Sequence, residues 1–193
     1  METGADTDAS AMSRLAAGED MALTELMHRW QDRVASFLLR MTGSHATAGD
    51  LAQETFVRLY QNRTRYKPSA SFSSYIFSIA ANLARNHHRW SARHPADPIH
   101  ELQKDGKEPT IDDSSPDEAL ARSETADAVQ RAVQDLPPDL RETLVLFTYH
   151  DLGYHEIASA VGCSRKAVET RLYRARQTLK EKLQHLASSP VSS

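Results

Sequence analysis

The chain has 193 residues, a single cysteine and a formal net charge of -3 at pH 7. This length accommodates one large domain or two small ones, each with a usable hydrophobic core. One cysteine excludes an internal disulfide framework, and no apolar stretch is long enough to cross a bilayer. Residues 1–10 lack the basic and apolar parts of a signal peptide, so we expect a cytoplasmic protein.

A bundle of three helices is predicted in the N-terminal half. Residues 1–14 are mostly small and polar, so we expect them to be disordered. Beyond them, apolar residues recur at helical spacing, with short connections near Gly43 and Pro68. Residues 15–94 are therefore predicted to form one small helical domain. The three predicted helices run over Glu19–Met41, Thr47–Asn62 and Ser71–Ala92.

The outward face of the second helix has acidic and amide side chains around one apolar residue. These positions follow the spacing i, i+3, i+4, i+7 and i+11, so they line up on one side of the helix. A solvated surface would explain such a face by itself, whereas a mixed polar and apolar face also suits docking against another protein's helices. The face consists of Asp50, Gln53, Glu54, Val57 and Gln61.

The third helix has an apolar side and a side with aromatic, amide and guanidinium groups. Unpaired DNA requires flat surfaces for base stacking, amides for base edges and cations for phosphates, and this second side has all three. Core packing is the alternative role for Tyr75 and for Phe72. The polar stripe consists of Tyr75, Ser78, Asn82, Arg85 and Arg89. The apolar side consists of Ile76, Ile79, Ala80, Leu83 and Trp90.

Charge is segregated in the middle of the chain. Residues 95–116 are rich in proline and charge, with few large aliphatic side chains, and predict an acidic flexible linker. The stretch Asp97–Asp127 has ten acidic residues against three Lys or Arg, whereas Arg85–His94 has three Arg, three His and no acid. Helical periodicity then resumes and predicts a second domain over 117–186, followed by a disordered tail over 187–193.

Residues 154–183 have the pattern of a helix-turn-helix. A short striped helix leads to a turn at Gly162, and Ser164 is placed to cap the next helix. From Ser164 to His185 there are seven Lys or Arg against two Glu, so the outward face suits a groove of duplex DNA. A helical hairpin with a solvated basic face is the alternative. The predicted buried stripe is Val168, Leu172, Ala175, Leu179 and Leu183.

No arrangement of residues is typical of an enzyme or a metalloprotein. We find no plausible paired carboxylates, nucleophile with a base, or glycine-rich phosphate loop, so we expect no catalytic residue and no cofactor. Several histidines lie close together in sequence, but cysteine or carboxylate ligands at suitable spacing are missing, so we predict no metal site. These histidines are His87, His88, His94 and His100.

Three segments, in the family's own order, resemble bacterial sigma factors of the extracytoplasmic-function (ECF) group of the sigma-70 family. DLAQETFVRLY (Asp50–Tyr60) resembles the polymerase-binding helix, and SFSSYIFSIAANLARNHHRW (Ser71–Trp90) resembles the promoter-melting helix. The run Leu136–Leu183 resembles the second DNA-binding domain. The resemblance covers most of residues 15–185.

The resemblance implies an all-α initiation factor without enzymatic activity, built from an N-terminal helical bundle and a C-terminal helix-turn-helix domain joined by a flexible linker. The first domain would bind core RNA polymerase and read the -10 element as melted strand. The second domain would read the -35 element as duplex. Family members are commonly inhibited by an anti-sigma factor, often membrane-anchored, that wraps both domains. The expected partners are therefore core RNA polymerase, promoter DNA and an anti-sigma factor.

Individual positions can be carried over from the family's motifs. Asp50, Gln53 and Glu54 match positions that dock on the coiled coil of the polymerase's largest subunit, and Val57 and Gln61 complete that face. Asn82 matches a position that holds a flipped -10 base, in a pocket shaped by the loop from Lys67. The expected -10 contacts are Lys67, Phe72, Tyr75, Asn82, Arg85 and Arg89. The expected -35 contacts are Arg165, Lys166, Glu169, Thr170, Arg171, Tyr173 and Arg174.

The chain also departs from the family's pattern. Tyr75 stands where the family often has Trp, which keeps a stacking ring. Asn86, His87 and His88 stand where an Asp followed by other residues is common, so local strand contacts there are expected to differ. Glu169 stands where many members are basic, and because a carboxylate accepts a hydrogen bond from the cytosine amino group, we expect a different -35 preference.

A free-standing helix-turn-helix regulator is the alternative function. Such a protein binds duplex operators, usually as a dimer, and residues 15–92 would then be a sensor or dimerisation domain. A duplex reader has no use for the strand-stacking surface from Tyr75 to Arg89, which favours the initiation factor.

Overall fold

The computed structural model describes residues 4–67, 71–94 and 126–188, and within these ranges the chain is helical and has no strand. The all-α prediction is confirmed. A 3-10 turn over Arg63–Arg65 follows the third helix. The helices are α1 (Gly4–Ala16), α2 (Met21–Thr42), α3 (His45–Gln61), α4 (Phe72–Arg93), α5 (described over 126–134), α6 (Pro138–His150), α7 (Tyr154–Val161) and α8 (Arg165–Ser188).

The N-terminal segment folds as helix α1, and the prediction that residues 1–14 are disordered was wrong for the described residues. Met12 and Leu15 are completely buried against α2. Asp8 is also buried: its Oδ2 accepts a hydrogen bond of 3.0 Å from Trp30 Nε1, and its Oδ1 lies 2.9 Å from Arg29 Nε. Packing on α2 therefore stabilises a segment whose own helical signal is weak.

Helices α2, α3 and α4 confirm the predicted bundle, with bounds within two residues of those expected. Aromatic rings at its centre meet edge to face: Trp30 lies 5.2 Å from Phe72, and Phe37 lies 5.4 Å from Phe77. Trp90 was wrongly placed on the apolar side of α4. Its side chain is 48% exposed and stacks on His94, because the helix extends past the end of the core.

Helices α7 and α8 form the predicted helix-turn-helix. Gly162 ends α7 in the left-handed conformation (φ 71°), which favours glycine. Ser164 Oγ accepts a hydrogen bond of 3.2 Å from Ala167 N, so the predicted cap of α8 is confirmed. Val168, Leu172 and Ala175 are buried, as the predicted stripe requires.

The two helix groups, α1–α4 and α5–α8, pack against each other around one continuous core. The buried ring of His150 lies 4.7 Å from Phe77 and 6.0 Å from Phe37. Arg33 Nη2 donates to His150 O at 3.0 Å, and Arg141 Nη1 donates to Met41 O at 2.6 Å. The separate predicted domains thus share an interface. The predicted linker (95–116) lies outside the described residues, as do 189–193 of the predicted tail, whereas 187 and 188 end α8.

Leu15→Ala should lower the free energy of unfolding by about 2–5 kcal/mol, because it leaves a cavity under α1. The exposed Ser13 is the matched control on the same helix, and Ser13→Ala should change that free energy by no more than about 0.5 kcal/mol. Urea denaturation of the full chain measures both. Equal and negligible effects would mean that α1 does not contribute to the fold.

Acid should weaken the interface through His150. Desolvation lowers the pKa of His150 from 6.5 to about 4, with Arg33 and Arg40 adding to the shift. A folded-state pKa below the unfolded one means that stability is complete above about pH 6.5 and is lost as the pH falls towards 4. We expect a loss of about 2 kcal/mol between pH 7 and pH 5. Denaturation at both pH values should show a smaller loss in His150→Gln, and an unchanged loss would contradict the assignment.

Candidate nucleic-acid and protein interface

The predicted docking face of α3 lies on the side of the helix opposite the core. Asp50, Gln53 and Gln61 are exposed, and Val57 is 46% exposed, which is unusual for a large apolar side chain in this chain. Glu54 is half-buried, and its Oε1 accepts a hydrogen bond of 2.7 Å from Arg58 Nε, one turn later. The inward residues that hold the face in place are Thr47, Ala48, Ala52, Thr55, Phe56 and Leu59.

The first turns of α4 are more buried than the sequence predicted. Phe72 is only 4% exposed and packs on Trp30, so in this conformation it is a core residue and not a stacking surface for DNA. Tyr75 is half-buried beside Tyr66, and its hydroxyl donates to Asn62 O at 3.3 Å. Burial raises the pKa of Tyr75, which keeps the hydroxyl protonated as a donor.

Further along α4, Asn82 and Arg89 of the predicted polar stripe are exposed, whereas Tyr75, Ser78 and Arg85 are partly buried. Asn82 is exposed, and its Oδ1 accepts a hydrogen bond from Arg85 Nη2. Arg89 is exposed and donates to Asn86 Oδ1 at 2.5 Å. Lys67 is exposed at the end of the first described range, and residues 68–70 of the predicted pocket loop lie outside the described residues.

Serine hydroxyls at the start of α4 contact the helix-turn-helix. Ser71 caps α4 by accepting from Ser74 N at 3.2 Å. Ser71 Oγ and Ser73 Oγ donate to Glu156 Oε1 at 2.9 and 2.7 Å, and Ser74 Oγ donates to Glu156 O. Glu156 Oε2 also accepts from Gly153 N, at the start of α7. Burial acts to raise the pKa of Glu156, but these hydrogen bonds outweigh burial and lower the pKa, so the carboxylate is ionised.

The outward face of α8 is exposed, as predicted, apart from one residue. The side chain of Tyr173 is 65% exposed, and Glu169 Oε1 lies 3.4 Å from Arg165 Nε on the open surface. Such an exposed pair stabilises little, so both side chains are free to rearrange. The other exposed members are Lys166, Thr170 and Arg174.

Arg171 is the exception, because it holds the C-terminal helices together. Its Nη1 lies 3.5 Å from Glu142 Oε1 and its Nε lies 3.6 Å from Asp139 Oδ2, both on α6. Arg85 of α4 reaches the same carboxylate, with Nη1 2.6 Å from Glu142 Oε2. Burial raises the pKa of Glu142, and the two guanidinium groups oppose that shift. The role of Arg171 in this conformation is therefore an internal ion pair and not a free contact for DNA.

Three residues of the interface were missed by sequence reasoning. Glu142, His150 and Glu156 all act across the two helix groups, and their partners lie far away in the sequence. The only signal in the sequence was at Glu142, a charged residue at a helical position where the apolar pattern predicts a buried side chain.

Among residues 4–67, 71–94 and 126–188, no group of three or more His, Cys, Asp or Glu side chains is placed to hold a metal ion. His100 of the predicted histidine cluster lies outside this part of the chain. None of the helices in these ranges is long and apolar enough to span a bilayer.

Comparison with known families gives two matches in chain order. Sigma-70 region 2 matches residues 26–94, and Sigma-70, region 4 matches residues 126–179. Together these segments make up well over half of the chain.

Full-length relatives and solved structures agree with these matches. The RNA polymerase sigma-H factor of Pseudomonas aeruginosa is 29% identical over 185 residues, which covers 94% of this chain and 96% of the relative. The ECF RNA polymerase sigma-E factor of Escherichia coli K12 is 29% identical over 184 residues, 93% and 96% of the two chains. CnrH in complex with the cytosolic domain of CnrY is similar with a TM-score of 0.71 and 25% identity, covering 95% of this chain and all of that one. RpoE of Bartonella quintana, in complex with the anti-sigma factor NepR, shares the fold at a TM-score of 0.67 and 20% identity, over 83% of this chain and 96% of that one.

The stabilities of two variants should distinguish the internal role of Arg171 from the exposed position of Arg174. Arg171→Ala should lower the free energy of unfolding by about 1–3 kcal/mol, because it leaves part of the buried Glu142 carboxylate without a cation. The exposed Arg174 is the matched control, and Arg174→Ala should change that free energy by no more than about 0.5 kcal/mol. Urea denaturation of both variants measures these free energies. If Arg171→Ala were as mild as Arg174→Ala, the internal role would be wrong.

Proposed function

Because the chain belongs to the ECF group of the sigma-70 family, we propose that its two helix groups divide promoter recognition between them. The protein is a transcription initiation factor that binds core RNA polymerase and directs it to specific promoters. The N-terminal group binds the polymerase and reads the -10 element as melted strand. The C-terminal group reads the -35 element as duplex.

The proposed domains follow the two helix groups. The first is the region 2-like bundle over 15–94, and helix α1 (Gly4–Ala16) packs on it through Ala11, Met12 and Leu15. The second is the region 4-like domain over 117–186, connected through an acidic linker over 95–116.

The α3 face is the proposed docking site for core polymerase. Carboxylates and amides surround the exposed Val57, so the face offers charge for orientation and one apolar contact that can be buried on binding. The proposed contacts are Asp50, Gln53, Glu54, Val57 and Gln61.

The exposed part of α4 is the proposed -10 reader. Asn82 supplies an amide to the edge of an extruded base, and Lys67 and Arg89 supply charge to the strand. Extruding a base costs a few kcal/mol, which stacking and edge hydrogen bonds must offset. The half-buried Tyr75 is the nearest ring for stacking. Arg85 joins this set once it leaves Glu142.

The exposed face of α8 is the proposed -35 reader. Cations contact phosphates and set the position of the helix, while the side chains in the groove read the bases. The proposed contacts are Arg165, Lys166, Glu169, Thr170, Tyr173 and Arg174.

An anti-sigma factor is the remaining partner. The packed arrangement of the two helix groups resembles that of CnrH bound to the cytosolic domain of CnrY over nearly the whole chain. We propose that an anti-sigma factor recognises this closed arrangement.

We also propose that the protein works in the cytoplasm with the polymerase. Sigma factors are not enzymes, and we propose no catalytic role for this chain. The matches to both regions do not support the free-standing regulator.

Run-off transcription with bacterial core RNA polymerase and a promoter library tests the function. The purified chain should produce transcripts from templates that share a -35 and a -10 sequence, whereas core polymerase alone should not. An absence of transcript from every template, together with tight binding of the chain alone to a duplex operator, would overturn the proposal in favour of the regulator.

The same library identifies the role of Glu169. Glu169→Ala should change the preferred -35 bases, because the carboxylate is exposed on the reading face and can accept from cytosine. Glu181→Ala, which removes the same charge further along α8, should leave the preference unchanged. An identical -35 preference in both variants would show that Glu169 does not read DNA.

A further inference from the structure

Helix α1 places a buried carboxylate behind the first turn of α4. Asp8 is 6% exposed, and its Oδ2 accepts a hydrogen bond of 3.0 Å from Trp30 Nε1. Its Oδ1 lies 2.9 Å from Arg29 Nε, so the carboxylate faces one neutral donor and one cation. Desolvation raises the pKa of Asp8, and the hydrogen bond from Trp30 and the charge of Arg29 oppose that shift.

The burial of Asp8 is costly for a helix that only needs to pack. Taking a carboxylate out of water carries a penalty, and an apolar side chain of similar volume often stabilises such a position as well or better. A carboxylate does what an apolar residue cannot, because it fixes the orientation of the indole ring through a directional bond to Nε1. The bond therefore indicates a role in positioning Trp30 in addition to packing.

Trp30 is the inner end of a chain of aromatic contacts. Its ring is 5% exposed and meets Phe72 edge to face, with the centroids 5.2 Å apart. Phe72 lies 6.2 Å from Tyr66, and Tyr66 lies 5.2 Å from Tyr75. Because aromatic pairs prefer particular relative orientations, each ring constrains the next. The chain leads from the buried bond on α1 to two half-buried tyrosines, Tyr66 and Tyr75.

The two tyrosines flank the place where the extruded -10 base is expected. Tyr66 directly precedes Lys67, where the predicted pocket loop begins. Tyr75 and Asn82 are seven positions apart on α4, which is about 10 Å and close to two full turns, so they lie on the same face. The hydroxyl of Tyr75 donates to Asn62 O at 3.3 Å, which ties its ring to the start of the 3-10 turn.

We propose that Asp8 is a positioning residue for -10 recognition, which fixes Trp30 and thereby sets the Tyr66–Tyr75 pair as the aromatic wall against the extruded base. Tyr66 is then a further base contact beside Tyr75. The inference rests on the proposed function in naming a promoter base as the ligand, whereas the coupling of α1 to the two tyrosines does not depend on it.

The support for this wall comes from outside the matched family segment. Sigma-70 region 2 matches residues 26–94, and α1 ends at Ala16. The same helix contacts the 3-10 turn over Arg63–Arg65 and α4 as well as α2, so it touches every element that carries a ring of the chain or its anchor. Helix α1 is therefore placed to influence which base the neighbouring domain accepts.

Promoter discrimination by the complete holoenzyme tests the proposal. The readout is the ratio of run-off transcript from the preferred base to that from the least favoured base at the extruded -10 position, with the -35 element held constant. Asp8→Ala removes the acceptor of Trp30 Nε1 and should lower this ratio on the order of tenfold. Asp8→Asn keeps an oxygen that accepts the same hydrogen bond and should retain most of the ratio. The -35 preference should be unchanged in both variants.

Leu15→Ala is the matched control, because it destabilises α1 and leaves the bond between Asp8 and Trp30 in place. A ratio between two templates does not depend on the amount of folded protein, so this control should keep the ratio of the parent. Trp30→Phe is the second test variant, since it keeps a ring and removes the donor, and it should lower the ratio as Asp8→Ala does. An unchanged ratio in Trp30→Phe and Asp8→Ala, or an equal loss in Leu15→Ala, would overturn the proposal.

The coupling is measured without polymerase by fluorine NMR of the full chain labelled with 3-fluorotyrosine. The chain has six tyrosines, and Tyr66→Phe and Tyr75→Phe assign the two signals of interest. Asp8→Ala should shift both signals and leave that of the exposed Tyr173 in place. Unmoved signals of Tyr66 and Tyr75 would overturn the coupling. An absence of transcript from the parent would instead refute the initiation function, while the fluorine signals would still decide the coupling, so the two failures are distinguishable.

Discussion

A buried carboxylate requires cations, and Glu142 obtains them from helices α4 and α8. The residue is 2% exposed, and removing an ionised group from water costs several kcal/mol unless its oxygens are paired. Arg171 supplies a cation from within the C-terminal helices, and Arg85 supplies the second from α4. The first pair fixes α6 against α8. Because Arg85 belongs to α4, the second pair also fixes the position of α4 against α6.

The aromatic centre explains why the contact between the helix groups is specific. Phe37 and Phe77 belong to the bundle, yet the ring that covers them is His150 at the end of α6. A neutral imidazole fills this place well, whereas a charged one would not, which is why desolvation lowers the pKa of His150 to about 4. Apolar burial therefore supplies the attraction, and the hydrogen bonds of Glu156 and the ion pair of Glu142 fix the register of the two groups.

Sequence reasoning was most successful where a helix has one partner surface and a capped end. The spacing of apolar residues located α2, α3, α4 and the helix-turn-helix, and Gly162 and Ser164 marked the turn because each fits a defined backbone requirement. It failed for α1, whose burial of Met12 and Leu15 depends on α2. Periodicity also cannot tell where a core ends, so Trp90 was assigned to the inside although α4 extends beyond its neighbours at that point.

The candidate site was predictable only in part, since a sequence shows which groups lie on a face but not which of them are already occupied. Arg165, Lys166 and Arg174 follow from the basic face of α8 and are exposed, whereas Arg171 belongs to the same run and points to Glu142. Phe72 belongs to the strand-reading motif and is buried against Trp30. Whether a cation on a helix face is already paired depends on acidic residues elsewhere in the chain. Because Glu142 and Glu156 already pair with donors on α4, the cations that stay exposed on α8, and not the net charge of -3, decide what that surface can contact.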